Sequence, residues 1–494
     1  MSDHTTPGAG RIGEVQRALR RSDLVRRSGR VSNLIGLIIE ATGLVAEIGE
    51  VCLIHAGRDH PPVRAEVVGF REGRTLLMPL GELQGIGPGT KVENTGAPFR
   101  VPVGRPLLGH VLDGLGQPID FGDLLEGSGE SGPMSPRSTL AQPPEPLSRP
   151  RINQRVGLGV RALDGLVPCG RGQRLGIFAG SGVGKSSLMG MIARSSDASV
   201  NVIALVGERG REVREFIERD LGGALERSVV VAATSDQPAL VRIKAAFTAT
   251  TVAEHFRDEG HDVMLMMDSV TRFAMAQREV GLAIGEPPAT RGYTPSVFAL
   301  LPRLLERAGT NPNGSITGLY TVLVDGDDMN EPIADAVRAI LDGHVVLSRS
   351  LAHAAHYPAI DVLQSVSRLA DDIVSPEVIA AGRLVRGALA SMHEKEDLVS
   401  IGAYRAGSDP ELDAALAHRQ AIEAFLRQPV EESSEPAVAD QGLLEIAASL
   451  EAMQRAGHEL ADDAEVVDAE PVPVAEEPRP GAEDSDAAIP LLRL

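Results

Sequence analysis

Short apolar runs broken by glycine and proline fill residues 31–103. Four of these runs, at 34–39, 50–54, 64–68 and 75–78, are rich in valine, isoleucine and leucine. Such composition and spacing are typical of short strands separated by turns. The pattern therefore predicts a small β-barrel at 31–103.

Residues 151–375 alternate between fully apolar runs and longer amphipathic stretches. A helix is predicted at 238–257, and the predicted strands lie at 202–206, 229–233, 263–267, 317–324 and 345–347. Alternation of this kind indicates a parallel α/β sheet with helices on its faces. Residues 376–430 follow as a predicted helical domain, with turns near 402–410.

Three other segments have a different character. Residues 104–150 are predicted to be a linker or extended loop, because 121–150 are rich in Gly, Ser and Pro. Residues 431–494 are predicted to be an acidic, mostly disordered tail with one amphipathic helical piece at Leu443–Met453. Residues 1–30 form a basic segment, with a short helix predicted at 11–27.

Charge separates the two ends of the 494-residue chain. Residues 431–494 hold 17 acidic and 3 basic side chains, a net charge of −14 out of the −20 of the whole chain. That acidity argues against a nucleic-acid partner for the tail. Seven arginines lie between Arg11 and Arg30, against two acids. This segment is either a solvated arm or a docking helix for a partner or an anionic membrane surface.

Two further features limit the class of protein. Cys52 and Cys169 are the only cysteines, and neither has a neighbour at a metal-ligand spacing. This usage suits a reducing compartment without a disulfide framework. Apolar runs long enough to span a bilayer and an opening signal peptide are both absent from the sequence.

The most specific motif runs from Ala179 to Ser187. It fits a P-loop, with Ala179 where the pattern has glycine, and a predicted strand and helix flank it. Its glycines let backbone N–H groups surround a polyphosphate at a helix N-terminus. Lys185 is one of only four lysines, so its position here is informative. We expect it on the β- and γ-phosphates and the Ser186 hydroxyl on Mg²⁺.

Two carboxylates follow predicted strands at the positions that hydrolysis needs. Glu208 comes after the strand at 202–206 and could polarise a water facing the γ-phosphate. Asp268 closes the apolar strand at 263–267 in the Walker B manner, where an aspartate holds Mg²⁺. Each carboxylate alone could equally be a helix N-cap; the preceding P-loop favours the catalytic interpretation.

Longer strings carry a resemblance to a known family. The chain resembles the catalytic subunits of rotary ATP synthases and, more closely, the ATPases of type III protein export, above all the flagellar branch. The resemblance covers about residues 30–430. The strings that carry it are Ile177–Ser186, Val206–Phe216, Ala233–Leu240, Met267–Glu279, Gly285–Pro288, Pro295–Pro302 and Tyr357–Asp361.

The resemblance implies a fold and a set of site residues. The implied fold is α/β: a central P-loop (RecA-like) parallel-sheet domain with an N-terminal β-barrel and a C-terminal helical domain. The implied ligands are ATP and Mg²⁺, with Ser186 and Asp268 on the metal. The residues implied to contact nucleotide are Gly180, Ser181, Gly182, Val183, Gly184, Lys185, Ser186, Ser187, Tyr357 and Phe425.

The catalytic roles are carried over in the same way. Glu208 matches the catalytic glutamate, and Arg209 and Arg272 match arginines of the phosphate pocket. Arg368 matches an arginine finger offered to the neighbouring subunit. Tyr357 matches the aromatic that stacks on adenine, although spacing alone would favour core packing for Tyr357 and a structural ion pair for Arg368. Val430 stands where synthase catalytic subunits have an aromatic.

The resemblance also implies partners and a location. They are a ring of identical subunits, expected to be a hexamer, a stator-like regulatory protein at the N-terminal segment and a central-stalk-like coiled coil. Export-gate membrane proteins, export substrates and their chaperones complete the set, without nucleic acid. The implied location is the cytoplasmic, inner face of the cytoplasmic membrane at the flagellar base.

Four alternatives are weighed against flagellar export. Virulence type III secretion shares the same chemistry. A non-catalytic ATP synthase subunit usually has glutamine where this chain has Glu208. An RNA-translocating hexamer needs a basic, aromatic N-terminal module, and Phe70 is the only aromatic between residue 31 and Phe99. A scaffold that binds nucleotide without turnover is disfavoured by Glu208, Asp268 and Arg368.

Overall fold

The computed structural model describes residues 27–57, 60–119, 132–324 and 328–467, with side chains described as far as residue 458. Almost all of the helix predicted at 11–27 therefore lies outside the described residues. The same holds for residues 120–131 of the predicted loop and for the tail beyond residue 467.

The N-terminal unit is a closed antiparallel barrel, as expected. Its strands follow the order β1-β2-β5-β4-β3-β6, with β6 returning to β1. Their bounds are β1 Ser28–Ile35, β2 Ile38–Thr42, β3 Glu50–His55, β4 Val63–Arg71, β5 Arg74–Pro79 and β6 Lys91–Pro98. Ile39, Cys52, Ile54 and Leu77 fill its interior.

The apolar run at 34–39 is a hairpin and was wrongly predicted as one strand. β1 ends at Ile35, which pairs with Ile38 of β2 across the turn. Gly36 has a φ of 58°, which glycine adopts at little cost. The first three positions of β1 also lie inside the segment predicted for docking, so the barrel begins at Ser28.

The segment at 104–150 is more than a linker, so this prediction was wrong. β7 (Arg100–Val103) pairs with β9 (Ser135–Ser138) in a small ribbon. Between them β8 (His110–Asp113) joins the central sheet as an edge strand. Its two central residues, Val111 and Leu112, are buried, although a run of two apolar residues is too short to predict a strand.

The central sheet is parallel through its core and carries the order β19-β18-β12-β17-β15-β13-β14-β8. Every residue of β13 and β14 is buried, as expected for parallel strands covered on both faces. The remaining strands are β10 Arg155–Val156, β11 Cys169–Gly170, β12 Arg174–Ala179, β13 Val200–Val206, β14 Ser228–Ala233, β15 Asp262–Asp268, β16 Gly309–Thr310, β17 Ser315–Leu323, β18 Gly343–Leu347 and β19 Ile360–Ser367.

Strand register places the C-terminal ends of four strands at one edge of the sheet and that of β19 at the opposite edge. β12, β13, β15 and β17 all end at the same edge of the sheet. β19 instead runs antiparallel to β18, so Leu347 pairs with Ile360 and Gly343 pairs with Ser367. The end of β19 consequently lies at the opposite edge.

Helices connect these strands. They are α1 Arg161–Leu166, α2 Lys185–Ser195, α3 Gly210–Glu215, α4 Ala239–Asp258, α5 Val270–Ile284, α6 Pro295–Leu305, α7 Pro332–Ile340, α8 Arg349–His353 and α9 Ala370–Ile373. A π-helical turn at Phe216–Leu221 extends α3, and 3-10 turns lie at Arg105–Leu107, Pro146–Ser148, Gly222–Arg227 and Thr290–Gly292.

The C-terminal helices pack on the nucleotide-binding unit as expected, but the chain stays helical further than expected. They are α10 Pro376–Glu394, α11 Glu396–Ser400, α12 Pro410–Leu426 and α13 Pro436–Val467. The prediction of a mostly disordered tail from residue 431 was wrong for α13. Ala439, Leu443, Ala447 and Leu450 recur at helical spacing and are buried against the other helices. The outer face of α13 is acidic, so the composition of this segment does not reveal its narrow apolar stripe.

Candidate active site

The P-loop motif forms a loop between a buried strand and a helix. β12 ends at Ala179, the glycine-rich turn follows, and α2 begins at Lys185. Gly182 and Gly184 have φ of 79° and 90°, a backbone region that side chains disfavour. The loop borders a cavity of about 390 Å³. Lining residues are Ala179, Gly180, Ser181, Gly182, Gly184, Lys185, Ser186, Ser187, Glu208, Arg209, Glu212, Arg272, Leu323 and Val324.

Val183 belongs to the P-loop but does not line this cavity. It is buried in the core with Leu188 of α2 and Ile177 of β12. We expect it to contribute only its backbone N–H to a ligand.

Lys185, which lines the cavity, forms a close ion pair with Asp268. Lys185 Nζ lies 2.5 Å from Asp268 Oδ1, and Thr321 Oγ1 donates to the same carboxylate oxygen at 2.7 Å. β15 and β17 are neighbours in the sheet, which brings Thr321 beside Asp268. Sequence reasoning missed Thr321, because a threonine inside an apolar strand has no motif to distinguish it.

Glu208 lies above this pair and is held between two cations. Its Oε1 is 3.7 Å from Lys185 Nζ and 3.2 Å from Arg272 Nε. The residue is only 7% exposed. Within the described part of the chain, this buried oxygen has no aligned hydrogen-bond donor. Both cations lie on this oxygen, and Glu208 also lines the cavity.

The environment of Glu208 also changes its acidity. Burial, followed by the negative charge of Asp268, raises the pKa of the Glu208 carboxyl to about 7, against the opposing effect of Lys185 and Arg272. Burial penalises the charged form of a carboxyl group, and a nearby like charge does the same. The group is thus poised to exchange a proton near neutral pH.

Two arginines border the cavity in different ways. Arg272 lies in the first turn of α5, where Ser269 caps the helix by accepting from Arg272 N at 3.3 Å. Arg209 extends into solvent with its side chain 73% exposed and pairs with Glu212 at 3.1 Å. The structure therefore brings Arg272 onto Glu208 and leaves Arg209 at the rim.

Tyr357 lies beside the P-loop. A methyl group placed on Gly184 would meet its ring at 3.7 Å, an ordinary contact distance. The side chain is 45% exposed, and its hydroxyl donates to Ala352 O at 3.2 Å. An accessible aromatic face next to a phosphate loop can stack on a base.

Phe425 does not join this site. Its ring is buried among α1, α12 and α13, where it packs closely on Gly165 and Gly442. The chain reaches Tyr357 three residues later instead, where Gln428 N donates to Tyr357 O at 3.0 Å. Phe425 belongs to the apolar stripe of α12, which continues to the end of that helix.

Arg368 lies far from its own P-loop. It follows β19 directly, and its backbone N–H donates to Asp342 O at the opposite edge of the sheet. From Gly343 to Leu347 the neighbouring strand rises about 13 Å, at about 3.3 Å per residue. The side chain is exposed, and within the described ranges it has no ion-pair partner.

Two searches of the described residues gave negative results. The described part of the chain holds no cluster of three or more histidine, cysteine or acidic side chains that could bind a metal ion. Among the same residues, none of the helices combines the length and apolarity that crossing a membrane requires.

Family models match three parts of the chain. The ATP synthase alpha/beta family beta-barrel domain matches residues 31–96, and the nucleotide-binding domain of that family matches 159–367. The C-terminal domain of the T3SS EscN ATPase matches 374–445.

Individual relatives agree over most of the chain. The flagellum-specific ATP synthase of Bacillus subtilis is 55% identical over 427 residues, 86% of this chain and 95% of the relative. The type 3 secretion system ATPase of Xanthomonas euvesicatoria is 51% identical over 421 residues, 85% and 94% of the two chains.

Solved structures of one relative share the fold. The assembled ATPase EscN of the enteropathogenic E. coli type III secretion system has a TM-score of 0.79 at 46% identity, covering 85% of this chain and 100% of EscN. EscN in complex with its central stalk EscO gives 0.77 at 45% identity with the same coverage. This chain therefore belongs to the ATP synthase alpha/beta family, as one of its flagellar and type III secretion ATPases.

Proposed function

We propose that this chain hydrolyses ATP at the P-loop cavity and thereby energises the export of flagellar proteins through a type III export apparatus. The observation that carries the proposal is the buried Glu208 carboxylate, which lines the P-loop cavity and lies between Lys185 and Arg272. A carboxylate in this position can orient the attacking water and take its proton. Lys185 and Arg272 offset the charge that develops on the transferred phosphoryl group.

The same cavity fits Mg²⁺. Ser186 and Asp268 supply a hydroxyl and a carboxylate, the oxygen donors that this ion prefers, and we propose that they hold it. When bound, Mg²⁺ neutralises charge on the β- and γ-phosphates. Asp268 is oriented by its contacts with Lys185 and Thr321.

We propose that the adenine base stacks on Tyr357. The phosphates would lie on the backbone N–H groups of 180–187, and the base would leave the cavity past Gly184 toward the exposed ring. Phe425 has no part in this arrangement, because its ring is buried elsewhere.

A ring of identical subunits completes the site. Arg368 lies at the opposite edge of the sheet from its own P-loop, and we propose that it serves the nucleotide of a neighbouring subunit. One chain then carries both halves of each interface, which is the condition for a closed cyclic assembly. The assembled relative EscN supports a ring, and we propose a hexamer.

Partners follow from the same comparison. The EscN complex with its central stalk EscO supports a coiled-coil stalk partner for this chain. We further propose a stator-like regulator at the basic N-terminal segment, together with export-gate proteins, substrates and chaperones. These partners would place the chain at the cytoplasmic face of the membrane, at the flagellar base.

The type 3 secretion relative at 51% identity makes virulence secretion the second candidate. One experiment separates the two. Deletion of the gene should abolish swimming and the secretion of flagellar filament protein, and expression of the intact chain should restore both. A Lys185→Ala chain should restore neither. Retained motility in the deletion strain would favour the virulence branch.

A further inference from the structure

Arg194 connects the P-loop helix to two distant segments. It lies in the last turn of α2, and its guanidinium donates to the carbonyl oxygens of Asp220 and Val430. The bond from Nη2 to Val430 O is 2.7 Å long. Neither acceptor belongs to α2, so both bonds hold other parts of the chain against it.

Asp220 belongs to the segment that follows Glu208. α3 begins two residues after Glu208, and the π-helical turn at Phe216–Leu221 continues it. π-helical turns are rare and often accompany functional sites. Because their carbonyls bond to N–H groups five residues on, the ends of such turns leave acceptors to be satisfied by other groups. Arg194 satisfies one of them.

The two segments are also in direct backbone contact. A methyl group on Gly190 of α2 would lie 2.6 Å from Asp220 O and 2.8 Å from Asp220 Cβ. Only glycine permits this approach. The contact and the Arg194 bond therefore fix the same residue, Asp220, from one helix.

A second arginine holds the C-terminal end of α2. Arg227 donates to the carbonyl oxygens of Ala193, Arg194, Ser196 and Ala198, and so holds the C-terminal end of α2 in place. Movement of the segment 210–221 relative to α2 would thus require the loss of the Arg194 bond.

We propose that Arg194 is a positioning residue that holds segment 210–221 against the P-loop helix and thereby fixes the Glu208 carboxylate opposite Lys185. This inference rests on the proposed catalytic role of Glu208. Glu208 immediately precedes the segment, and Glu212 within it lines the same cavity. A displacement of the segment would move Glu208 relative to a phosphate bound on α2.

The test is Arg194→Ala in the full-length chain. ATP affinity, measured by calorimetry, should stay within about twofold, because the P-loop and Lys185 are untouched. The kcat for phosphate release should fall about 10-fold or more, since misplacing a reacting group by about 1 Å can cost up to 100-fold. Arg194→Lys should recover most of the kcat, because an ammonium can still donate to Asp220 O.

Gly190→Ala is the second variant. It disturbs the Asp220 contact without touching Val430, so a shared loss of kcat would assign the effect to Asp220. Its control is Gly223→Ala, where an added methyl meets no atom within 4 Å. For Arg194 the control is Arg214→Ala, since that side chain is 78% exposed and pairs with Glu218 of its own segment at 2.7 Å. Both controls should keep wild-type kcat.

Two outcomes would overturn the inference. One is a kcat within twofold of wild type in both folded variants, while Glu208→Gln abolishes turnover. The other is an equal loss of ATP affinity and kcat that Arg194→Lys does not restore, which would mark a purely structural residue. Retained turnover in Glu208→Gln would instead overturn the proposed catalytic role itself.

Discussion

At the scale of single residues, the site depends on a carboxylate that is costly to bury. Glu208 is almost fully buried beside Asp268, and two cations compensate its charge. Such a cost is tolerated where the charge stabilises a transition state. The negative charge, rather than the shape of the side chain, is therefore the property to test.

Glu208→Gln isolates that charge. The amide has nearly the same size, so ATP binding should remain within a few-fold of wild type. The kcat should fall by about 10²- to 10⁴-fold, the range for removing a general base. Phosphate release and calorimetric ATP titration measure the two quantities. Turnover close to that of wild type would remove Glu208 from the mechanism.

The raised pKa of Glu208 gives an independent prediction for the same residue. The pKa of Glu208 is raised to about 7, and only the ionised form accepts a proton. The kcat/KM for ATP should therefore be constant above this value and fall about tenfold per pH unit below it. A pH series of initial rates measures the acid limb. A flat profile down to pH 5 would contradict the role of base.

The residues of this site differ in how well sequence predicts them. Lys185 of the P-loop, Glu208, Asp268 and Arg272 come together because their motifs follow strands that end at one edge of the sheet. Thr321 carries no motif, and its position depends on strand order. Phe425 was predicted at the site from the family resemblance, but the apolar stripe of its helix takes the ring into the core.

At the scale of elements, periodicity predicts regular segments and misses those that depend on distant partners. The parallel strands are apolar runs, and the five predicted ones were located to within two residues at either end. β8 is a short strand whose partner in the central sheet, β14, lies more than a hundred residues later. α13 was underestimated, because four buried side chains suffice to fix a long acidic helix.

Leu443→Ala tests whether α13 belongs to the folded body. Leu443 is fully buried, whereas the adjacent Leu444 is 39% exposed. Truncation at Leu443 should lower the free energy of unfolding of the C-terminal helices by about 2–5 kcal/mol. Leu444→Ala is the matched control and should change it by less than about 1 kcal/mol. Urea denaturation measures both, and equal effects would contradict the buried position of this face.

At the scale of the whole molecule, each chain offers a pocket at one sheet edge and Arg368 at the other. Mixing two inactive variants tests this division. Lys185→Ala lacks the phosphate lysine, and Arg368→Ala lacks the finger. In mixed rings some interfaces pair an intact pocket with an intact finger, so part of the ATPase activity should return. Absence of rescue in verified mixed rings would place Arg368 in its own subunit's site or in a structural role.

The antiparallel direction of β19 also affects when ATP is hydrolysed. Under the proposed role of Arg368, a lone chain would bind nucleotide at its P-loop cavity but would lack the arginine that hydrolysis needs, because a neighbouring subunit carries it. Nucleotide binding and hydrolysis would thereby be separated in space, because a free chain would hold ATP without hydrolysing it. Hydrolysis would begin only where copies gather, so the place of assembly decides the place at which ATP is used.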